Sequence, residues 1–229
     1  MNRASAKIAA IVAMKGHSAR VPGKNIRPLC GKPLFHWIVE ALLHVPEIDR
    51  VVVETDSDRI AEDAAQSFPV TVLRRPPELY GDHITSNELL PFHMSQIKAD
   101  VYLQTHSTNP LLRAETMSRA IAAWRGAPDR DSLFTVTELY TRLYWPGGRA
   151  INHNPEKLIS TQDLPPVLEE NSCLYIFTEE GFHARHRRIG LNPILFTTDR
   201  LESADIDEEW DFAFAEYLMQ RRLAAESTA

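Results

Sequence analysis

The sequence predicts an α/β fold whose central sheet is mainly parallel and doubly wound. Short apolar runs rich in β-branched residues alternate with segments of helical periodicity along most of the chain. This alternation is typical of βαβ units, which place neighbouring strands parallel and pack helices on both faces of the sheet. The first run, Ile8–Met14, has the length and apolar character of a buried strand, and a polar loop separates it from the next helical segment.

Each element can be assigned from its local pattern in chain order. The first helix has Pro33 at its start, and Thr85 or Ser86 is suited to cap the third. Strands are expected at 8–14, 50–55, 70–73, 101–105, 132–137, 171–177 and 192–197. Helices are expected at 33–43, 60–65, 88–97, 114–124 and 178–187, with a last amphipathic helix after Asp211 that ends near Leu223.

The periodicity weakens between the fifth and sixth predicted strands. Tyr140, Tyr144 and Trp145 stand there among Gly and Pro residues, which favours loops and irregular β-structure. We expect one domain spanning 1–229, with an excursion at 139–170 that serves as a lid or an oligomer contact.

Composition narrows the classes of function. The formal net charge of −6 and a pI near 5.8 argue against a nucleic-acid partner. No apolar run reaches the roughly 18 residues of a membrane span, so no membrane partner is expected. Cys30 and Cys173 lie far apart and form no C-x-x-C motif, which favours a reduced, cytoplasmic protein without a structural metal.

The loop after the first strand concentrates positive charge. Residues 15–32 contain five cations, three glycines and two prolines, and no acidic residue occurs before Glu40. A cationic, Gly-containing loop at the carboxyl end of a first strand is where open α/β sheets bind phosphates. Neither G-x-x-x-x-G-K-[ST] nor G-x-G-x-x-G occurs there. A solvated basic loop is the alternative interpretation of the charge alone.

The residues of this loop resemble a known family. Met14–Asn25, followed by Gly31–Leu34, is similar to the signature A-R-x-x-S-K-x-x-P-x-K-N and G-K-P-L of the CMP-sugar synthetases, the acylneuraminate and 3-deoxyoctulosonate cytidylyltransferases. The resemblance implies a Rossmann-like, nucleotide-diphospho-sugar transferase-like fold. It also implies transfer of CMP from CTP to a small sugar-acid acceptor, and a homodimer in which the excursion is the dimer contact and site lid.

A second chemical motif stands before the last helix. Asp205 and Asp207 are separated by one residue, so in an extended segment they project to one side. Mg²⁺ is commonly held by one or two carboxylates together with substrate phosphates. An acidic N-terminus that stabilises the last helix through its dipole is the alternative interpretation. The segment Ser203–Phe212 resembles the family motif that supplies the Mg²⁺ ligands, with Asp211 as its later acid.

The resemblance extends through the middle of the chain. Matching segments surround Thr55–Asp56, Arg75–Leu79, Leu103–Leu111 and Asn171–Tyr175, in the family's order. By resemblance, catalysis is assigned to Lys15, Arg20, Lys24 and Asp207, and Mg²⁺ binding to Asp205 and Asp207. Nucleotide binding is assigned to Lys15, Gly16, Ser18, Arg20, Lys24, Asn25, Arg75, Thr85 and Ser86, and acceptor binding to Gln104, Glu169, Asn171 and Tyr175.

The sequence departs from the family pattern in two places. Lys15 and Ala19 stand where the family has Arg and Lys, so Arg20 together with Lys15 has to supply the charge for the phosphates. The stretch 161–170 has no Arg or Lys and contains Asp163, Glu169 and Glu170, which would repel a carboxylate. We therefore expect an acceptor other than N-acetylneuraminate. An amino-substituted ulosonic acid would fit if its carboxylate is met elsewhere, by Lys157 or by Arg142 of the excursion.

Other interpretations remain open at this point. A nucleotidyltransferase for a phosphonate or cyclitol phosphate would share most of these residues, as would a non-catalytic nucleotide-binding module. A glycosyltransferase would share the D-x-D motif but normally carries it in mid-chain. His17 and His106 lie in the two candidate loops, either as a general base or as hydrogen-bonded loop residues.

Overall fold

The computed structural model describes residues 2–228, which form strands β1–β9, helices α1–α6 and short 3₁₀ turns. The strands are β1 Ile8–Met14, β2 Pro28–Leu29, β3 Lys32–Pro33, β4 Arg50–Thr55, β5 Thr71–Arg74, β6 Val101–Thr105, β7 Ser132–Leu139, β8 Val167–Phe177 and β9 Pro193–Thr197. The helices are α1 Leu34–Leu43, α2 Asp58–Ser67, α3 Ser86–Gln96, α4 Ala114–Gly126, α5 Glu179–Arg185 and α6 Glu209–Glu226.

Seven strands form the central sheet in the order β5-β4-β1-β6-β8-β7-β9. The pairs β5–β4, β4–β1, β1–β6 and β7–β9 are parallel, so the predicted α/β class with a mainly parallel sheet is confirmed. Strand β8 differs, because it lies antiparallel between β6 and β7. The sequence did not indicate this direction, since an apolar run carries no information about orientation.

Strand β1 is at the centre because it is apolar on both faces. Ala10 and Val12 pack in one core cluster with Phe35 of α1. Ala9 on the opposite face packs with Leu90 of α3. Helices therefore cover both faces of the sheet, which explains why β1 shows no apolar and polar alternation in the sequence.

Strand β8 begins at Val167, earlier than the predicted start at Asn171. Residues 167–170 pair with Val136–Leu139 of β7, but their side chains are mostly exposed. The sequence lacked an apolar signal there because this part of β8 is held by backbone pairing and not by burial. The remaining segment, 140–166, contains one 3₁₀ turn at Thr161–Asp163 and an isolated bridge between Tyr144 and Ala150.

The parallel strands bring three loops to one edge of the sheet. In the register of the sheet, Met14 at the end of β1 is opposite Thr55 at the end of β4, and Val12 is opposite Thr105 at the end of β6. The loops that follow these strands therefore lie side by side, in the position where open α/β sheets bind ligands. Within residues 2–228, none of the helices is both long and apolar enough to cross a bilayer.

Candidate active site

The loop after β1 is held against the end of β4. The backbone N–H of Gly16 donates to Oδ1 of Asp56 at 2.6 Å. A Cβ atom on residue 16 would lie only 2.7 Å from Cβ of Ser57, so this close approach requires glycine. The N–H of Gly16, which the sequence assigned to nucleotide binding, is therefore already occupied by Asp56.

A buried ion pair supports the same loop from below. Arg75 donates from Nε and Nη2 to the two carboxylate oxygens of Glu54, at 2.6 and 2.9 Å, and Nη2 also reaches the carbonyl oxygen of Met14 at 3.3 Å. Both charged side chains are buried, at 1% and 0% exposure, and His93 Nε2 lies 3.3 Å from Glu54. Arg75 thus positions the end of β1 in this structure. The predicted contact with nucleotide is not what its geometry favours, because its guanidinium faces the protein interior.

Asn25 connects two of the three loops. Its Nδ2 donates to the carbonyl oxygen of Lys15 at 2.8 Å, and its Oδ1 accepts from the hydroxyl of Ser107 at 2.7 Å. Only 7% of the residue is exposed. Asn25 therefore fixes the loop after β1 to the loop after β6, and its remaining surface is small.

A polar cleft of about 370 Å³ opens above these loops. Lys15, Ser18, Arg20 and Lys24 line it, as the sequence analysis expected for a phosphate site. His106 and Thr108 form the opposite wall from the loop after β6. With Asn25, the structure thus brings five of the predicted nucleotide-binding residues to one cleft.

The cations of the cleft are already engaged by oxygen atoms of the protein. Lys15 Nζ lies 3.1 Å from Oδ1 of Asp82, and Arg20 Nη2 lies 2.6 Å from Oδ1 of Asp207. Lys24 donates from Nζ to the carbonyl oxygen of Ile206 at 2.7 Å. Burial lowers the pKa of Lys24, and the carboxylates of the 205–211 segment oppose that shift. Since the pairs of Lys15 and Arg20 are partly exposed, an incoming anion can compete with them at low cost.

The segment containing Asp205 and Asp207 closes the other side of the cleft. The N–H of Ile206 donates to the carbonyl oxygen of Thr108 at 3.0 Å, which attaches the segment to the loop after β6. Partial desolvation, with the nearby charge of Asp207 as a second cause, raises the pKa of Asp205. Two neighbouring carboxylates that disfavour each other's charge are suited to a divalent cation.

The acids that cap helix α6 are the neighbours of Asp205 and Asp207, and not this pair itself. Glu208 is the N-cap residue of α6 and forms a capping box with Asp211. Oδ2 of Asp211 accepts from the backbone N–H groups of Asp207 and Glu208, at 3.0 and 2.7 Å. Asp205 and Asp207 take no part in this cap: Asp205 lines a second cleft, and Asp207 accepts from Arg20 of the first. Among residues 2–228 no cluster of three or more metal-ligating side chains occurs, so a cation here would need ligands from a substrate.

Thr85 and Ser86 begin helix α3. Thr85 is its N-cap, and Glu88 Oε2 accepts from both the backbone N–H and the hydroxyl of Thr85 at 2.7 Å. Of the two residues that the sequence suggested as the cap, Thr85 is the one used. Neither residue lines the cleft, and their predicted contact with nucleotide stays a prediction.

The predicted acceptor-binding residues fall into two groups. Glu169 and Asn171 line a second cleft of about 600 Å³, next to Asp205. There the amide of Asn171 donates to the hydroxyls of Thr137 and Thr198, at 2.9 and 2.7 Å.

The other group is buried beneath an arginine that the sequence analysis missed. Gln104 and Tyr175 are 0% exposed. The guanidinium of Arg188 lies 3.4 Å from the centre of the Tyr175 ring and donates from Nη1 to Oε1 of Gln104 at 2.9 Å. Arg188 stands in the run His183–Arg188, which in the sequence is indistinguishable from a solvated helix end. Only the folded chain brings it to β6 and β8.

His106 is a hydrogen-bonded residue of the same cluster. Its Nε2 lies 3.4 Å from Nη1 of Arg188, so it accepts and the ring is neutral. Burial, assisted by the charges of Arg188 and Lys24, lowers the pKa of His106 to about 4. Such a low pKa favours the hydrogen-bonded interpretation over that of a general base. His17 also lines the first cleft.

Comparison with known proteins places the chain among nucleotide-transferring enzymes. The family model described as "Cytidylyltransferase" matches residues 9–228. The CMP-N,N'-diacetyllegionaminic acid synthase of Legionella pneumophila subsp. pneumophila is 28% identical, over 93% of this chain and 97% of that protein. The N-acylneuraminate cytidylyltransferase B of Danio rerio is also 28% identical over 93% of this chain, which spans about half of that relative's length.

Solved structures with the same fold agree. The structure of CMP:2-keto-3-deoxy-manno-octonic acid synthetase complexed with CTP superposes with a TM-score of 0.72 at 16% identity, covering 94% of this chain and 99% of that one. The 4-diphosphocytidyl-2C-methyl-D-erythritol synthase of Anaerococcus prevotii gives a TM-score of 0.69 at 13% identity, covering 93% and 96%. At these identities the likeness concerns the fold.

Proposed function

Since this chain belongs to the cytidylyltransferase family, we propose that it transfers CMP from CTP to a hydroxyl of a sugar acid, giving a CMP-sugar and pyrophosphate. One observation supports the proposal: Arg20 and Lys24, which line the first cleft, contact Asp207 and the carbonyl oxygen of Ile206, about 180 residues away in sequence. Its relatives are named for legionaminic, pseudaminic and N-acylneuraminic acids and for 3-deoxy-manno-octulosonate, which supports a sugar-acid acceptor over a phosphonate or a cyclitol phosphate.

The protein contributes to this reaction mainly by positioning the two substrates and by neutralising the phosphate charge. A hydroxyl oxygen of the acceptor forms a bond to the α-phosphorus of CTP, and the bond from that phosphorus to the oxygen bridging to the β-phosphate breaks. The hydroxyl loses its proton, and pyrophosphate leaves with the bond electrons. Lys15, Arg20 and Lys24 bind the triphosphate in the first cleft, with Ser18 beside them. To do so, Arg20 exchanges its contact with Asp207 for a phosphate oxygen.

Mg²⁺ fits the paired acids at the edge of the cleft. Burial, with the charge of Asp207 as a smaller cause, raises the pKa of Asp205, so a cation beside the pair would offset an unfavourable charge. Carboxylate oxygens are the ligands that Mg²⁺ prefers. Asp205 and Asp207 would hold the ion, which when bound neutralises phosphate charge and makes the acceptor hydroxyl more acidic. Asp211 positions Asp207 through its backbone N–H.

The acids of the second cleft set the class of acceptor. Glu169 lines this cleft beside Asn171, and Glu170 accepts a hydrogen bond from the hydroxyl of Tyr175. A carboxylate left unpaired next to these acids would lose several kcal/mol of binding, on the order of the whole energy of millimolar affinity. We therefore propose that N-acetylneuraminate is a poor substrate and that amino or hydroxyl groups of the acceptor face Glu169.

Pyrophosphate release with CTP and Mg²⁺ tests both the proposed reaction and the proposed acceptor specificity. The acceptor panel consists of N,N'-diacetyllegionaminic acid, pseudaminic acid, N-acetylneuraminic acid, their amino-substituted analogues and 3-deoxy-manno-octulosonate. Turnover with at least one member is expected, with N-acetylneuraminate among the slowest. Glu169→Gln should reduce this preference, whereas Glu115→Gln on the distant helix α4 should not change it. Efficient use of N-acetylneuraminate by the wild type would exclude the specificity, and absence of turnover with the whole panel would refute the function.

We also propose a cytoplasmic homodimer in which the excursion at 139–170 makes contact between copies. Tyr140, Tyr144 and Trp145 are each about half exposed there, a larger apolar surface than a solvated loop needs. Sedimentation equilibrium at micromolar concentration should give twice the chain mass of 26.0 kDa. A monomer at that concentration would contradict the proposal.

A further inference from the structure

Arg188 is a partly buried cation without a carboxylate partner. Among residues 2–228, no Asp or Glu oxygen lies within salt-bridge distance of its guanidinium, although most other cations around the sheet edge have one. Burial lowers the pKa of Arg188 from its usual value, and the charge of Glu170, beyond salt-bridge distance, partly opposes that shift. The group remains charged at neutral pH. A desolvated charge of this kind is costly unless an ion of opposite sign completes it.

The guanidinium is held in a fixed orientation. Its face stacks on the ring of Tyr175, whose hydroxyl is tied to Glu170 and to Ser172 Oγ. Nη1 is used by Gln104 and His106, which are both neutral groups. The other two nitrogens, Nε and Nη2, donate to no group in the described chain and are not among its fully buried atoms. They form the edge that binds a carboxylate through two parallel hydrogen bonds.

The backbone around Arg188 is anchored as well. Its N–H donates to Oδ1 of Asn87 at 3.2 Å, at the start of α3. Two residues further, the N–H of Gly190 donates to the hydroxyl of Ser132, and a Cβ atom there would collide with the carboxylate of Asp131 at about 2.3 Å. Contacts with α3 and with the start of β7 therefore hold the loop of Arg188 in place. Binding a ligand should then cost little conformational entropy in this loop.

A second group beside Arg188 lacks a partner. Gln104 is fully buried, and while its Oε1 accepts from Arg188, its Nε2 has no hydrogen-bond partner in the described chain. An unpaired buried amide donor is uncommon, because it forfeits a hydrogen bond that water would provide. Gln104 therefore orients Arg188 without neutralising it, and the two lie next to His106 at the wall of the nucleotide cleft.

We propose that Arg188 binds the carboxylate of the sugar-acid acceptor through its free Nε and Nη2 edge. This inference rests on the proposed function. It replaces the earlier expectation that Lys157 or Arg142 of the excursion meets the carboxylate. It also explains how a sugar acid can bind next to Glu169: the negative end of the acceptor lies at Arg188. The acids of the second cleft then select among sugar acids by the hydroxyl or amino groups that face them, which is where N-acetylneuraminate is expected to fit less well than an amino-substituted acid.

Steady-state kinetics of Arg188→Ala and Arg188→Lys test the assignment, with the best acceptor of the panel above. Arg188→Ala should raise KM for the acceptor by about 10- to 100-fold, as expected for the loss of a charge-assisted pair. KM for CTP should change less than about threefold, because Arg188 is not among the residues that line the nucleotide cleft. Arg188→Lys should recover part of the affinity, since it keeps the charge but loses the fork. Arg187→Ala, the exposed neighbour, is the matched control and should match the wild type.

An acceptor analogue without the carboxylate charge measures the contribution of that group alone. The carboxamide of the same acceptor should be a poor substrate of the wild type. Arg188→Ala should use the acid and the carboxamide almost equally well, since the group that distinguishes them is gone. Circular dichroism of each variant verifies folding.

The possible outcomes distinguish a failure of this inference from a failure of the proposed function on which it rests. A wild type without turnover on any acceptor would refute the proposed function and the inference with it. An active wild type whose acceptor KM is unchanged by Arg188→Ala would refute the inference alone. A loss of CTP affinity in Arg188→Ala as large as the loss for the acceptor would assign Arg188 to a nucleotide phosphate and overturn the proposal.

Discussion

Two arginines at the edge of the sheet differ in the charge of their partners within the protein. Arg75, under the phosphate loop, is fully buried and bonded to both oxygens of Glu54. Arg188, in the acceptor half, is less buried but rests on an aromatic ring and a neutral amide. The first is neutralised within the protein and supports structure, whereas the second is left for an anion from outside. The partner of a buried charge therefore tells more about its role than its burial does.

The loop cations are intermediate between these two cases. Lys15 and Arg20 have carboxylate partners, Asp82 and Asp207, but both pairs are partly exposed. Exposed pairs are worth only about 0–1 kcal/mol, so a triphosphate can displace them. Lys15 and Arg20 of the nucleotide half thus begin with carboxylate partners, whereas Arg188 of the acceptor half begins without one. The predictions below test this difference, from the largest expected effect to the smallest.

Glu54→Gln would put Arg75 in the situation of Arg188, with a neutral amide as its partner. Because Arg75 is buried without access to an external anion, the free energy of unfolding should fall by about 3–5 kcal/mol. Chemical denaturation of the purified protein measures the change.

Asp82→Asn is the matched control for Glu54→Gln, since it removes one carboxylate from a partly exposed pair in the same region. Its free energy of unfolding should fall by no more than about 1 kcal/mol. Equal losses for the two variants would contradict the distinction between a structural and a displaceable ion pair.

Asp207→Asn should lower turnover by about 10²- to 10³-fold, equivalent to roughly 3–4 kcal/mol of transition-state stabilisation. The melting temperature should change little, because Glu208 and Asp211 cap helix α6 without Asp207. Pyrophosphate release at saturating CTP and Mg²⁺ measures turnover. Glu209→Gln, two residues away, should keep its activity; loss of stability with retained turnover in Asp207→Asn would restore the cap interpretation.

Asp205→Asn should combine lost activity with unchanged or increased stability of the free protein. Folding raises the pKa of Asp205, so its ionised form is less favourable in the folded state than in the unfolded state. The charge therefore lowers stability at any pH above the folded pKa, and the neutral amide relieves this. Mg²⁺ with CTP should raise the melting temperature of the wild type more than that of the variant. A lower melting temperature for the variant alone would show that Asp205 stabilises the fold.

Lys24→Ala should weaken the binding of CTP by about 10- to 100-fold, through the loss of a charge-assisted contact worth roughly 1.5–3 kcal/mol. CMP binding should weaken much less, because CMP lacks the outer phosphates. Isothermal titration calorimetry with both nucleotides gives the comparison. Equal losses would mean that Lys24 acts by holding the carbonyl oxygen of Ile206, and so the 205–207 segment, in place.

The nucleotide half could be predicted from sequence in most of its parts. The apolar run of β1, the cationic loop and the D-x-D segment are each encoded by residues close together in the chain. The structure brings Lys15, Ser18, Arg20 and Lys24 to one cleft and places Asp207 across from Arg20, as the resemblance implied. Local patterns succeed here because strand, loop and helix follow one another directly in a βαβ unit.

The acceptor half was predicted less completely. In the sequence, Arg188 belongs to a run of basic residues typical of a solvated helix end. Strand β8 begins in a stretch without an apolar pattern. Arg75, which the sequence assigned to the nucleotide, is matched in the structure with Glu54, from a neighbouring strand.

The sequence by itself determined the fold class and the family, and it predicted which residues bind phosphate and metal. Only the tertiary structure decided which charges are neutralised internally and which remain for a ligand. The physical reason is that the energy of a buried charge depends on the few groups within about 4 Å of it. For Arg75 and Arg188 those groups come from distant positions in the chain, and no local pattern records them.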